Sequence, residues 1–407
     1  MHRFHRNSIL PFLQHPTAWK WLLAAAMLFR FAFLFASGLW KTEEYWEYGE
    51  IARLLSEGRG YSFPFVDEQL QFLKDAWYPS ALMPPGYVFF LYPFLLIQNV
   101  VIRNLLLFTV QIGFSALAMW FSYRLVKQKA GVETAVVTLL FLAFTPDLVY
   151  ASCSVGPTVW FHFLLSLFLW APSGMKQARL TFVQILSAGL LVLMRSEVFL
   201  FFAVYAAWQW WNGYRLQAAF LLMGIALILA PWLFRNYREF GKPVLSASAG
   251  VNFYRGNNPG EIGDWPYAWS DTVLKMRKNP ATFEGKFDSL AMHQSLDWIQ
   301  QNPGTWLTRM PEKLARFWII DWPDPRTHPP LYWIPWFATF LLGLVGLRNK
   351  EARNQFFPHL ILLAVYTLVI LIFFPQLRYL TLVKFFWIPF AAVGVLNWIK
   401  TGRTDPD

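Results

Sequence analysis

The chain predicts an all-α polytopic membrane protein, and three observations carry that prediction. Hydrophobic residues fill 56% of the 407 positions and charged residues only 14%, where a soluble chain carries about a quarter charged. Several apolar runs reach the roughly 20 residues a helix needs to cross a bilayer. The basic residues behind the formal net charge of +11 gather in short loops between those runs, as the positive-inside rule describes. The excess charge therefore reads as topogenic, and nucleic acid is not an expected partner.

The first run, 19–40, is too long for a signal-peptide core and has no small-residue cleavage site, so it reads as a retained span. Arg3, Arg6 and Lys20 place the N-terminus in the cytoplasm. The loop 41–84 then falls outside. The run 85–99 is opened by Pro84 and Pro85 and broken by Pro93; Pro tolerates a helix start but not its interior. If 85–99 spanned the membrane, the basic loops "RLVKQKAG" and "SGMKQARL" would lie outside. As an interfacial segment it puts every short basic loop on one side.

Spans are then expected at 19–40, 102–125, 132–150, 156–171, 179–195, 197–211, 216–234, 330–347, 356–374 and 379–399. These make about ten helices in the cytoplasmic (inner) membrane, with both termini cytoplasmic. Three parts follow: a transmembrane module 1–234 with its outer loop and interfacial segment, an extracytoplasmic subdomain 235–329, and the last helices with a tail, 330–407. The middle part is rich in Gly, Asn and Pro at first, and later shows a helical pattern with a break at Pro303.

The outer segment "KTEEYWEYGEIARLLSEGRGYSF" concentrates acids in one short helix. On a helical wheel Glu44, Tyr48, Ile51 and Leu55 share one face, apolar apart from its first member. Glu43, Glu50 and Glu57 fall with Arg53 on the other side, and Glu47 lies at the border. A carboxylate heading the apolar stripe serves either as an N-terminal helix charge or, partly desolvated, as a base.

Five outer arginines run against the positive-inside trend and need partners. They are Arg195 in "LMRSEVF", Arg235 and Arg238 in "PWLFRNYREFGKP", Arg255 in "NFYRGNNP" and Arg378 in "FPQLRYLTL". Glu197 and Glu239 offer ion pairs; the set together offers a clamp for a phosphate. Asp147 is either a second acid of the site or a polar helix end. Arg30 lies mid-span, facing the bundle interior or snorkelling, and His162 reads as a structural hydrogen-bonder. Cys153 is the single cysteine, which excludes an intramolecular disulfide and a thiolate metal cluster. No nucleotide-binding glycine loop and no metal-ligand spacing is present.

The ordered series "EEYWEYGEIARLLSEGRGYS", "MPPGYVFFLYPF", "LVLMRSEVFL", "APWLFRNYREFGKPVLSASAGVNFYRGNNP" and "RYLTLVKFFWIPF" resembles the GT-C glycosyltransferases. Within them it is most similar to bacterial members of glycosyltransferase family 39, the protein O-mannosyltransferase-like family. The resemblance implies a seven-helix module, two outer loops enclosing a cavity, and a polyprenyl-phosphate sugar as donor. It matches the family's first-loop acid to Glu44, with Glu43 adjacent, its arginine-tyrosine pair to Arg378 and Tyr379, and its arginine at a helix end to Arg195. Glutamate stands where the family usually has aspartate. The family's acid after the third span has no counterpart in "SCSVGPTVW", which leaves Asp147 as the nearest substitute.

The implied activity is an inverting transfer of a sugar to an envelope acceptor (glycan, lipid or protein) at the outer face. No cofactor is required beyond the lipid-linked donor, and a divalent metal is not indicated. Two other classes remain: a transporter or flippase for lipid-linked glycans, and a surface-polysaccharide polymerase or ligase.

Overall fold

The computed structural model describes residues 9–43, 45–66, 72–174, 177–266 and 271–401. Arg3, Arg6, Glu44, Asp67 and Glu68 lie outside the described residues, as does the end of the tail. The chain opens with α1 (Ile9–Gln14), α2 (Ala18–Ser37), a 3-10 turn at Leu39–Lys41 and α3 (Trp46–Ser56). The strands β1 (Ser62–Val66) and β2 (Phe72–Pro79) and the helix α4 (Pro85–Leu95) complete the first loop region. Next come α5 (Val100–Phe144), α6 (Pro146–Ser152), α7 (Thr158–Gly174), α8 (Gln177–Met194), α9 (Phe199–Trp211) and α10 (Arg215–Phe240). The second loop region carries α11 (Ala249–Gly256), α12 (Asp271–Arg277), α13 (Pro280–Gln301) and α14 (Pro303–Trp318). Four helices close the described chain: α15 (Pro330–Leu347), α16 (Lys350–Gln355), α17 (Phe357–Ile372) and α18 (Leu377–Thr401).

This is a largely helical, multi-pass membrane architecture. Five helices, α2, α5, α10, α15 and α18, are each long and apolar enough to cross a bilayer. Large apolar side chains such as Trp21 and Leu28 on α2 and Leu227 on α10 face outward, which suits hydrocarbon and not water. α5 is two helices in series: Gly131 takes φ 86° and ψ 171°, reversing the chain where "KQKAG" ends. Only glycine adopts that conformation cheaply. α4 has 11 residues, about 16 Å of helix against a hydrocarbon core of about 30 Å. It is too short to span and packs beside α3, α5 and α8.

α18 is enclosed by α15, α5, α7 and α17. Its contact with α15 depends on backbone-to-backbone approach. A Cβ on Gly346 would stand 1.9 Å from the Phe390 carbonyl oxygen, and one on Gly394 2.0 Å from that of Leu342. Small residues of this kind let membrane helices close on each other.

Charges inside the bundle are met by the chain itself. Arg30 is buried and donates to Ser115 Oγ (3.1 Å) and to the carbonyls of Ala143 (2.8 Å), Leu142 and Ala26 (both 3.2 Å). It faces the bundle interior and does not snorkel. Lys384 is fully buried and donates to Asp147 Oδ2 and to Tyr332 Oη, with the rings of Tyr332 and Trp336 beneath its ammonium. His162 donates to the Thr381 carbonyl (3.2 Å) and stacks on Phe385, the structural role expected of it.

The loop regions hold one element the sequence reading lacked. β1 and β2 form an antiparallel hairpin, with an irregularity between Pro64 and Val66. Proline has no N–H for the ladder and is tolerated at such points. The expected helical pattern of the second loop region appears as α13 and α14, separated at Pro303. Glu284 of α13 ties the two regions together: Ser80 Oγ and the Ala81 N–H each donate to it at 2.6 Å. A second tie joins α14 to the top of α17. Buried Lys313 donates to Asn257 Oδ1 and to the Leu371 carbonyl, and burial lowers its ammonium to about 8.

Candidate active site

A cavity of about 840 Å³ lies between the two loop regions and the helix ends below them. At one end it is lined by Glu47, Tyr48, Arg195, Glu197, Arg255, Arg378 and Tyr379. They reach it from four element ends. α8 stops at Met194, and the 3-10 turn Ser196–Val198 holds Arg195 and Glu197 in the gap before α9. Arg255 sits in the last turn of α11, and Arg378 and Tyr379 in the first turn of α18. Glu47 and Tyr48 lie in the first turn of α3.

Arg195 is buried and donates from Nε to Glu197 Oε1 at 2.6 Å, with its guanidinium 5.2 Å from the Tyr379 ring. Arg255 has its guanidinium 4.3 Å from the Trp265 ring and 4.2 Å from the Phe374 ring, and it donates to the Gly263 carbonyl. Burial, and then the charge of Arg378, lowers its guanidinium to about 10. Burial raises the Tyr48 phenol to about 12 against the opposing pull of Arg195 and Arg378. Among the described residues neither Arg255 nor Arg378 has a carboxylate within ion-pair distance. Three arginines against two glutamates leave this end with an excess of positive charge. Rigid guanidinium forks arranged around a cavity suit a phosphate group.

Three of the five arginines singled out from sequence therefore converge. Arg235 goes elsewhere: it donates to the carbonyls of Ser80 (2.7 Å) and Tyr61 (2.9 Å) and rests against the Trp232 ring. It braces the first loop region and is not among the lining residues. Arg238 is exposed on α10. Asp147 does not line the cavity either; its Oδ2 is held by Lys384.

Among the acids of the first outer helix, Glu43 is exposed. The wheel that placed Glu44 with Tyr48 assumed one continuous helix. α3 instead begins at Trp46, whose φ of 52° lies in the left-handed region, uncommon for a bulky side chain. Glu44 itself lies outside the described residues. Glu47, set at the border of the stripe by the sequence pattern, is the carboxylate of α3 that lines the cavity.

The other end of the cavity was not anticipated. Phe63, Phe65, Phe72 and Tyr78 of the hairpin meet Phe283 and Phe287 of α13, with ring centroids of Phe65 and Tyr78 each 5.0 Å from Phe283. The alternation in "SFPFV" is the signal that marks β1, since it places Phe63 and Phe65 on one face. Glu284 borders this end, and burial pushes its carboxyl up to about 7 despite the hydrogen bonds from Ser80 and Ala81. No group of three or more His, Cys, Asp or Glu that could hold a metal occurs among the described residues.

No protein-family model and no curated protein matches the chain. Solved structures do match. The apo form of the Archaeoglobus fulgidus oligosaccharyltransferase aligns with a TM-score of 0.53 at 14% identity, over 95% of this chain and 51% of that one. The same enzyme tethered to an acceptor peptide containing the NVT sequon gives 0.53 at 13% identity, over 95% and 50%. ArnT from Cupriavidus metallidurans, bound to undecaprenyl phosphate, gives 0.38 at 13% identity. The chain spans about half the length of the oligosaccharyltransferase it matches. At such identities the likeness is one of architecture: the chain has the fold of the part of the oligosaccharyltransferase that it matches.

Proposed function

We propose that this protein is an inverting glycosyltransferase that takes a sugar from a polyprenyl-phosphate carrier and gives it to an envelope acceptor. The observation that carries the proposal is the convergence of Arg195, Arg255 and Arg378 on one cavity together with Glu47. The arginines hold the donor phosphate and stabilise the charge that grows on it as the sugar leaves. Phe199 and Leu200, at the start of α9, line the same cavity with exposed apolar side chains. They give an isoprenoid chain a path from the bilayer to the arginines.

The acceptor loses its proton to a carboxylate of segment 43–47. Its oxygen or nitrogen attacks the anomeric carbon. The bond from that carbon to the phosphate oxygen breaks, and the lipid phosphate leaves with the electron pair. Glu44, which the family resemblance selects, and Glu47, which lines the cavity, are the two bases to separate. The remaining organisation follows the charge pattern: about ten spans in the inner membrane, termini inside, and the cavity outside. The parts are 1–234, 235–329 and 330–407.

The test is sugar release from a panel of polyprenyl-phosphate sugars by the purified chain in lipid, with crude envelope as acceptor. Wild type is compared with Glu44→Gln and Glu47→Gln. Turnover of one donor, abolished by one of these isosteric changes in a folded protein, supports the proposal and names the base. Absence of turnover with every donor overturns it in favour of a carrier for lipid-linked glycans.

A further inference from the structure

The cavity is larger than a phosphate and one sugar require: at about 840 Å³ it sits near the top of the range for drug-sized ligand sites. Its far end has a distinct chemistry. Six aromatic rings, Phe63, Phe65, Phe72, Tyr78, Phe283 and Phe287, form the wall from the hairpin and α13. Phe283 and Phe287 are parallel within 8°, 5.7 Å apart. Between this wall and the arginine end runs the segment from Pro243 to Asn252, which lines the cavity with Ser246, Ser248 and Asn252, all half-buried. The Ser248 hydroxyl is not used to cap α11, although it occupies the cap position.

The charged side chains here are engaged with the hairpin and the segment after it. Arg277 donates to the Val66 carbonyl at 2.9 Å, and both oxygens of Glu284 accept from Ser80 and Ala81. What remains is a set of aromatic faces beside short neutral donors and acceptors. Aromatic faces carry negative quadrupole charge and attract polarised C–H groups. Hydroxyl and amide side chains satisfy hydroxyls in either sense. Arg277 adds a cation to this wall, its guanidinium 5.5 Å from the centroid of the Phe65 ring.

We propose that this end of the cavity is a subsite for a sugar ring, stacked on Phe283 and its neighbours and hydrogen-bonded by Ser246, Ser248 and Asn252. The ring belongs either to an acceptor glycan or to the donor. The inference rests on the transferase reading for its biological sense, but its chemistry stands on the lining alone. An acyl chain would use the rings and leave the polar row unpaired.

The experiment is saturation-transfer difference NMR on the full chain in lipid nanodiscs, with methyl glucoside, methyl mannoside and methyl galactoside as probes. n-Octanol serves as the comparator. At least one glycoside should receive saturation on its ring protons, and n-octanol should receive less. Phe283→Leu, which keeps bulk and removes the ring, and Asn252→Ala, on the loop, should each weaken binding by about threefold to tenfold. Arg238→Gln, exposed on α10 and outside the cavity lining, should leave it unchanged. Addition of a mannosyl polyprenyl phosphate separates the sources: displacement of the probe assigns the ring to the donor, and joint occupancy assigns it to the acceptor.

The subsite is overturned if no glycoside receives saturation, if octanol alone does, or if binding survives both Phe283→Leu and Asn252→Ala. Undecaprenyl phosphate binding, measured on the same samples, keeps the two readings apart. Its loss with glycoside binding intact counts against the transferase and leaves the subsite standing.

Discussion

Two charge clusters of this molecule are built on opposite plans. Inside the bundle, Arg30 saturates itself on carbonyls and a hydroxyl, and Lys384 is matched by Asp147, Tyr332 and Trp336. At the cavity, Arg255 and Arg378 have no carboxylate at ion-pair distance among the described residues, and only Arg195 is paired, with Glu197. The first cluster pairs its cations within the bundle and holds helices together, with Asp147 Oδ1 left without a hydrogen-bond partner among the described residues. The second leaves positive charge facing a space of ligand size. Residue type alone does not separate a structural cation from a binding one; the completeness of its shell does.

The largest effect should come from breaking the closed cluster. Asp147→Ala leaves the Lys384 ammonium buried without its partner, a change that costs about 3–5 kcal/mol and should show as a large fall in the thermal midpoint in detergent. Asp147→Leu combined with Lys384→Met should recover most of it. If Asp147→Ala instead abolished transfer with stability intact, the contrast would be reversed and Asp147 would join the site.

Next is the open cluster. Arg378→Gln should lower transfer by about 10²–10³-fold, the range for one donor to a developing oxyanion, with an unchanged midpoint. A stability loss there would show that Arg378 is structural after all.

Glu284 sits between the plans, buried and hydrogen-bonded yet bordering the cavity. Arg235 favours its charged form and Asp288 opposes it, and burial outweighs both sets of hydrogen bonds. An unfolded glutamate ionises near 4.5, and this one keeps its proton up to about 7. Between those values the folded chain holds the extra proton, so stability falls as pH rises through the window and levels off above it. The fall is about 3 kcal/mol at most. The midpoint of wild type should drop from pH 5 to pH 7, and that of Glu284→Gln should stay flat.

The smallest effect concerns packing alone. Gly346→Val on α15 would press on the Phe390 carbonyl and should destabilise the α15–α18 contact by about 1–3 kcal/mol. Lipid phosphate binding by the folded fraction should not change.

The helical frame was legible because apolar runs, basic loops and prolines act locally. The positions of α7, α8, α15, α17 and α18, the break at Pro303 and the short α4 all follow from neighbours in sequence. Arg195, Arg255 and Arg378 were legible as cations with no evident purpose in the wrong loops. Arg235 carried the same signal and turned out to be a brace, because what it meets, the carbonyls of Tyr61 and Ser80, is set by tertiary contact. Glu47 was set at the border of its stripe, and that it faces the cavity depends on how the loop regions fold over α3, which a helical wheel does not carry. The aromatic end was missed for a similar reason: Phe63 and Phe283 are 220 residues apart in number yet share one wall, and only folding joins a hairpin to α13.

The measurement closest to the central claim is the affinity of the purified chain for undecaprenyl phosphate, in wild type, Arg378→Gln and Asp147→Leu with Lys384→Met. The account expects wild type and the bundle double variant to bind alike, and Arg378→Gln to bind at least about tenfold more weakly at an unchanged thermal midpoint. Equal binding by wild type and Arg378→Gln would contradict it, because the open arginine cluster would then not be the phosphate site.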